Sequence, residues 1–264
     1  MYKLFQSLPY FKGKFRFAKL FFFRNSIPRT FCLPSGIVFS VPNLIENVSF
    51  ELFINGVYEK KYLKLMEQNL PLNSIFFDVG ANVGAISVLL AKRRPDVTIY
   101  AFEASPRVFQ YLKINKDQNA LNNLNIFNIA IHTKDHLELP FYSPLDKNGK
   151  GSFSPVFTKE NEMVYTLSLD TFIKNNNIIP NLIKVDVEGY EKLIFESMDL
   201  YLSNSLSCPI LFEFVDWAEK LANYDYGEAQ QKLLNLNYKL FDLELNNDIY
   251  SPILSGSTMI LAKK

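Results

Sequence analysis

Short apolar runs recur along the chain. Each closes on or carries an acid, and each is followed by residues at helical spacing. Ser74-Ile75-Phe76-Phe77 ends at Asp78 and leads through Gly80 and Gly84 into a helix-like stretch from Ala85 to Lys92. Thr98 to Phe102 is a second run, closed by Glu103. Ser105 then caps a helix with Pro106 at its first position. Further strands are predicted at Leu124 to Ile131, Leu182 to Val187 and Pro209 to Phe214. Val164 to Asp170 is another apolar stretch, running into a helix at about Thr171 to Asn175, and residues 188–194 read as a turn into a helix. Ahead of this core, Gly36 to Val41 is strand-like, and Phe50 to Ile54 is either a strand or a short helix. Val57 to Met66 places Tyr58, Tyr62, Leu65 and Met66 at helical spacing. Residues 133–163 are polar and broken by Pro140, Pro144, Gly149, Gly151 and Pro155, which predicts a hairpin or lid. Alternating strands and helices predict an α/β fold, a doubly wound, mostly parallel sheet with an N-terminal extension. Ligands of such sheets sit at the carboxyl ends of the strands, where Asp78, Glu103, Asp186, Glu188 and Glu213 would gather.

At 264 residues and 48 % hydrophobic, the chain can bury a full core, so one large domain (36–264) behind an arm (1–35) is expected. Cys32 and Cys208 are too few for a disulfide framework and lack metal-ligand spacing. A reducing, cytoplasmic setting is the default. No run approaches the roughly 20 apolar residues that span a bilayer. The net charge of +1 is unevenly placed: no acid occurs in residues 1–45, which carry Lys3, Lys12, Lys14, Arg16, Lys19, Arg24 and Arg29. Phe5, Tyr10, Phe11, Phe15, Phe17, Phe21, Phe22 and Phe23 are interleaved with these bases. Such an arm either docks its aromatics on the domain or lies at an anionic membrane surface, on its inner face. Arg16 and Lys19 break the apolar run, so it does not read as a signal peptide. The domain itself is net acidic, which argues against a nucleic-acid partner.

The strand-end acids carry the chemistry. Glycine at 80 and 84 permits a tight turn and leaves room for a ligand against the backbone. A carboxylate at the end of the second strand of a βαβ unit, here Glu103, takes both hydroxyls of a ribose. The Gly-x-Gly-x-x-Gly pattern is absent, as is a Gly-Lys-Ser/Thr loop. The ligand expected is therefore an adenosine without a pyrophosphate, and S-adenosylmethionine fits that description.

These motifs occur in a recognisable order. Phe-Asp-Val-Gly-Ala-Asn-Val-Gly (77–84), Ala-Phe-Glu-Ala-Ser-Pro (101–106), Asn-Ile-Ala-Ile (128–131), Thr-Leu-Ser-Leu-Asp (166–170) and Ile-Lys-Val-Asp-Val-Glu-Gly-Tyr-Glu (183–191) together resemble the FkbM family of S-adenosylmethionine-dependent methyltransferases. Gly-Val-Tyr-Glu (56–59) and Ile-Leu-Phe-Glu (210–213) are also similar. The chain departs from that family at Ala104, usually Pro there, and at His132, often Gly. The resemblance implies a Rossmann-like class I methyltransferase that O-methylates a sugar, glycan or small metabolite. It implies that Asp78, Gly80, Asn82 and Gly84 line the methionine and ribose side of the cofactor. Glu103 would hold the ribose, and the backbone at Ala130 would lie beside the adenine. Asp186 and Glu188 would stand at the transferred methyl, Asp186 taking the hydroxyl proton. The alternative is that Asp186 caps the next helix.

Other residues are open to two readings. His132 or His136 is an alternative base or a structural histidine. Asp186 with Glu213 is a partial cation site lacking a third ligand, so no metal is assigned. Trp217 is either an acceptor platform or a packing residue. A non-catalytic protein of the same fold, binding a glycan or partner at a membrane, is the competing function. The sequence sets neither the acceptor nor the oligomeric state.

Overall fold

A computed structural model describes residues 2–9, 11, 13–22, 27–147, 149–204 and 207–264. Two short helices, α1 (Tyr2–Ser7) and α2 (Lys14–Ala18), open the chain and lead into an antiparallel hairpin, β1 (Arg29–Cys32) with β2 (Val38–Val41). The boundary expected after residue 35 falls in the turn of this hairpin, where Leu33 N–H donates to the Ile37 carbonyl at 2.8 Å. Next come α3 (Asn47–Asn55) and α4 (Lys60–Asn69). The ambiguous segment at 50–54 is therefore helical: Phe50, Leu52, Phe53 and Ile54 are all buried, which an isolated strand could not arrange.

The core alternates as predicted: β3 (Ile75–Val79), α5 (Ser87–Arg93), β4 (Thr98–Phe102), α6 (Pro106–Gln118) and β5 (Leu124–Phe127). Ser105 Oγ accepts the Val108 N–H at 3.4 Å, so the predicted cap of α6 is in place. The predicted third strand, Leu124 to Ile131, is interrupted. Asn128 Nδ2 donates to the carbonyls of Glu103 and Ala104, both at 2.9 Å, and turns the chain there. The remainder, β6 (Ala130–Ile131), leaves the main sheet and joins β7 (Glu138–Phe141) and β8 (Glu162–Leu167) in a small separate one. Then follow α7 (Leu169–Asn176), β9 (Leu182–Val185), α8 (Glu191–Glu196), α9 (Asp199–Ser203) and β10 (Ile210–Val215). The C-terminal part, α10 (Asp216–Leu221), α11 (Glu228–Asn235), β11 (Lys239–Asp242), β12 (Asn247–Ile249) and β13 (Ser257–Lys263), holds strands that the sequence reading did not assign.

Among the described residues the main sheet runs β12-β11-β13-β10-β9-β3-β4-β5. From β10 to β5 all pairs are parallel, while β13 is antiparallel to both β10 and β11. The chain lays β3, β4 and β5 outward, then crosses back to set β9 on the other side of β3. A crevice opens at the carboxyl ends at such a reversal. Parallel strands are buried on both faces, so they read as continuous apolar runs. On one face Phe102, Phe127 and Phe77 surround Phe172 edge-on, with ring centroids 4.8, 5.0 and 5.8 Å away. Truncating a phenylalanine in such a cluster costs about 3–5 kcal/mol.

Candidate active site

The site is assembled by the sheet's register. Asp78 on β3 is the direct cross-strand partner of Lys184 on β9, so both side chains stand on one face. Asp186, two residues on, points the same way. Lys184 is buried, with Nζ 3.4 Å from Asp78 Oδ1 and 3.2 Å from Asp186 Oδ2. Burial would lower the Lys184 ammonium, but the carboxylates of Asp186 and Asp78 override it and hold it above its ordinary value. Asp78 also accepts a short hydrogen bond from Ser87 Oγ at the start of α5.

The turn after β3 is fixed by two bonds, Gly80 N–H and Ala81 N–H to the Phe102 carbonyl at 3.0 and 2.9 Å. Gly80 has φ 81°, and a Cβ there would lie 2.0 Å from the Asp186 carbonyl oxygen. The turns after β3 and β9 therefore touch where only a glycine fits. Gly84 serves differently. A Cβ there would meet Leu112 Cδ1 at 2.7 Å, so this glycine lets α6 pack closely. It is not among the residues that wall either chamber of the crevice.

Two chambers occupy the crevice. The first holds about 650 Å³ of empty space and is mostly apolar, with Phe102, Ile129, Ala130, Ile131, Phe141 and Phe153 on its walls. The acid it does not share with the second chamber is Glu103, whose Oε2 accepts the Asn82 N–H and whose Oε1 accepts the Ser105 N–H, both at 2.9 Å. Burial pushes the Glu103 carboxyl up to about 7, against the pull of those two backbone bonds. The second chamber, about 1080 Å³, is lined by Tyr58, Asp78, Lys184, Glu213 and Trp217 together with Glu46. Asp78 thus faces the second chamber, not the one that contains Glu103. Gly80, Asn82, Asp186 and Glu188 are walls of both chambers.

Carboxyls crowd this junction. Burial and the nearby Asp186 push Glu188 up to about 8. The same causes raise Glu213 well above the usual carboxylate range, and Glu59 to about 7. Glu188 sits at φ 52° on the turn leaving β9. That turn is braced by buried Glu191, whose Oε1 accepts from Val187 N–H at 3.1 Å and Gly189 N–H at 3.4 Å. Lys184, Glu59 and Glu191 were given no role from sequence. The signal for Lys184 was a lysine inside an apolar strand, which demands a buried partner. Among the described residues no group of three or more His, Cys, Asp or Glu side chains is arranged to hold a metal ion.

Within the stretch 133–163, expected as a hairpin or lid, β7 and β8 pair antiparallel, and Gly149, Gly151 and Phe153 wall the first chamber. Ser152 Oγ lies 3.2 Å from the Tyr190 hydroxyl, and Lys150 Nζ sits 4.4 Å from the Trp217 ring centroid and 4.9 Å from that of Phe157. Trp217 is therefore a wall of the second chamber with a cation on its ring. His132 and His136 line neither chamber. His132 Nδ1 accepts the Lys134 N–H at 3.0 Å and its ring meets Phe153 edge-on, so it supports this stretch from behind.

The first chamber suits an adenosine: flat apolar walls for a base, and a carboxylate whose oxygens keep acceptor capacity for a ribose diol. A parallel sheet with this strand order and crevice is the Rossmann-like class I methyltransferase fold. The Methyltransferase FkbM domain matches residues 78–240, and the chain belongs to that family. Hexuronic acid methyltransferase AglP of Haloferax volcanii is 25 % identical over 53 % of this chain and 56 % of AglP. AMB antimetabolite synthetase AmbE of Pseudomonas aeruginosa is 30 % identical over 47 % of this chain and 6 % of AmbE. The matches thus span little more than half of one curated relative and a small part of the other. A TehB-like methyltransferase structure from Corynebacterium glutamicum is 11 % identical, covering 81 % of this chain and 93 % of that one at a TM-score of 0.48.

Proposed function

We propose that the enzyme O-methylates a hydroxyl of a sugar, glycan or small metabolite, with Asp186 and Glu188 at the reacting centre. The observation that carries this reading is the shared wall: Gly80, Asn82, Asp186 and Glu188 border both a mostly apolar chamber that contains Glu103 and a polar one. Bound in the first chamber, S-adenosylmethionine supplies an electrophilic methyl group on a sulfonium. Glu103 would hold the ribose hydroxyls, the backbone at Ala130 would face the adenine, and Gly80 and Asn82 would border the methionine portion. An acceptor in the second chamber presents its hydroxyl to Asp186. Lys184 holds the Asp186 carboxylate in place, and Asp186 would receive the hydroxyl proton as the methyl passes from sulfur to the acceptor oxygen, the S–C bond breaking to leave S-adenosylhomocysteine. Glu188, raised in pKa, holds a proton near neutral pH and donates a hydrogen bond that orients the acceptor. Positioning then supplies much of the rate.

AglP is named for a hexuronic acid, which makes acidic sugars the first acceptors to test. Lys150 at the rim of the second chamber offers a cation to such a group. The test is formation of S-adenosylhomocysteine by the purified enzyme across a panel of neutral sugars, uronic acids and their glycosides. Product mass and linkage are then read by mass spectrometry and NMR. Turnover on nitrogen acceptors alone would overturn the O-methylation reading.

A further inference from the structure

The N-terminal arm resolves into two apolar faces. The inner face is docked. Tyr2 stacks on Phe53 at 4.9 Å, Phe15 meets Phe50 edge-on at 4.8 Å, Phe22 meets Phe53 at 5.1 Å, and Gln6 Nε2 donates to the Phe53 carbonyl at 3.1 Å. Phe5 and Ala18 are buried beneath it. Lys14 is buried too and donates to the Leu8 carbonyl at 3.0 Å, so it is not a solvated base. Tyr10, Lys12, Phe23 and Arg24, counted in the arm's pattern, lie outside the described residues.

The outer face is bare. Leu4 is 62 % exposed and Leu20 79 %, and Phe11, Phe17 and Phe21 are exposed as well. These rings are continuous, Phe17 lying 6.5 Å from Phe11 and 5.0 Å from Phe21. Single exposed apolar residues occur elsewhere on the surface, as at Leu145 or Leu200, and need no explanation. A concentration of six within residues 4–21, with Leu8 as the sixth, does. The exposed bases Lys3, Arg16 and Lys19 interleave with them, and no acid precedes Glu46.

We infer that this outer face docks on an anionic lipid bilayer. Exposed leucines and phenylalanines enter the interfacial region while lysine and arginine meet lipid phosphates. Charge selects the bilayer over a second copy of the chain, because an isologous contact would set these bases against themselves. The placement also has an address. The arm packs on α3, and Glu46, Asn47 and Val48 at the start of α3 are walls of the second chamber. Docking would hold that chamber close to the membrane surface, in reach of an acceptor carried on a lipid.

The test is co-sedimentation of the full-length protein with vesicles of phosphatidylcholine mixed with phosphatidylglycerol, against pure phosphatidylcholine. The mixed vesicles should bind it at low ionic strength and release it as salt rises. Leu4→Ser with Leu20→Ser should weaken partitioning on the order of ten-fold per residue. Lys3→Gln, Arg16→Gln and Lys19→Gln together should weaken it by at most about a hundred-fold, roughly five-fold per base, and flatten the salt dependence. Unchanged S-adenosylhomocysteine affinity by calorimetry shows that each variant is folded. The triple glutamine variant alters only exposed side chains and decides alone if the serine pair disturbs the arm. Vesicle binding is read without methyl transfer, so it stands or falls apart from the acceptor reading. No sedimentation with anionic vesicles overturns the proposal, as does sedimentation equal in every variant. A concentration-dependent dimer in ultracentrifugation that Leu20→Ser dissolves, without vesicle binding, assigns the face to a second copy instead.

Discussion

The two chambers lie at the edge of one sheet, yet their chemistry is opposite. One is a mostly apolar slot whose own carboxylate, Glu103, is held by backbone N–H groups, with Asp186 and Glu188 on the wall it shares. The other is a polar basin in which several carboxyls share one buried lysine. The contrast follows from where each sits. The first chamber is walled by Ile129 to Ile131 and by the stretch 133–163, which supply apolar side chains. The second lies over β3, β9 and β10, whose same-face residues Asp78, Lys184, Asp186 and Glu213 are charged. A cofactor common to many reactions needs shape and a diol acceptor. An acceptor that must lose a proton needs charge in place beforehand.

Four measurements would break or sharpen that contrast. The largest effect is expected from Asp186→Asn, which keeps size but removes the charge and the proposed base. Turnover should fall about 10²–10⁴-fold with cofactor affinity nearly unchanged. Activity within a few-fold of wild type would show that Asp186 only positions the acceptor. Next comes Lys184→Met, which leaves Asp78 and Asp186 without their shared counter-charge. Thermal or urea unfolding should register a loss of about 3–5 kcal/mol, and adding Asp78→Asn should restore part of it. Equal stability of the single variant would mean the ion pair contributes nothing net.

A smaller effect belongs to the first chamber. Glu103→Gln should weaken S-adenosylhomocysteine binding by about 1.5–3 kcal/mol in calorimetry, because a charged acceptor to two hydroxyls becomes a neutral one. The wild-type affinity should also depend on pH. Glu103 holds its proton below about 7 and must shed it to accept both hydroxyls. Affinity should therefore fall about ten-fold per pH unit well below that value and level off above it. The glutamine variant should lack this step, and a wild-type profile flat from pH 5 to 8 would remove Glu103 from the ribose site. The smallest effect is Trp217→Ala. Stacking on an aromatic face contributes about 0.5–1.5 kcal/mol, so the acceptor KM should rise a few-fold at constant cofactor affinity. An unchanged KM would leave Trp217 as the partner of Lys150 alone.

Much of this was legible in the chain because it is local. The cap at Ser105, the turn at Gly80 and the acids closing β3 and β4 are each set by neighbours in sequence. What escaped was non-local. Whether Lys184 faces Asp78 depends on the register of β9 against β3, strands separated by more than a hundred residues. The break at Asn128 was hidden because its side chain bonds back to Glu103 and Ala104 rather than to its own turn. The strands β11, β12 and β13 were missed for a similar reason. Antiparallel pairing of β13 with β10 on one side and β11 on the other is what buries Thr258 to Ala262, and no periodicity within the segment announces it. Helix α4 begins at Lys60, later than spacing suggested, because Glu59 adopts φ 44° and cannot continue a helix backward.

The contact at Gly80 has a thermodynamic meaning. With the Asp186 carbonyl standing where a side chain would begin, the wall between the chambers is two backbones thick and has no slack. A ligand that shifts the turn after β3 must also shift the turn that carries Asp186. The occupancy of one chamber is then felt in the other as a change in affinity, and thermodynamic reciprocity makes the effect mutual. Coupling of this kind sets no order of arrival; it makes the affinity for each ligand depend on the presence of the other, through a residue that has no side chain to mutate away.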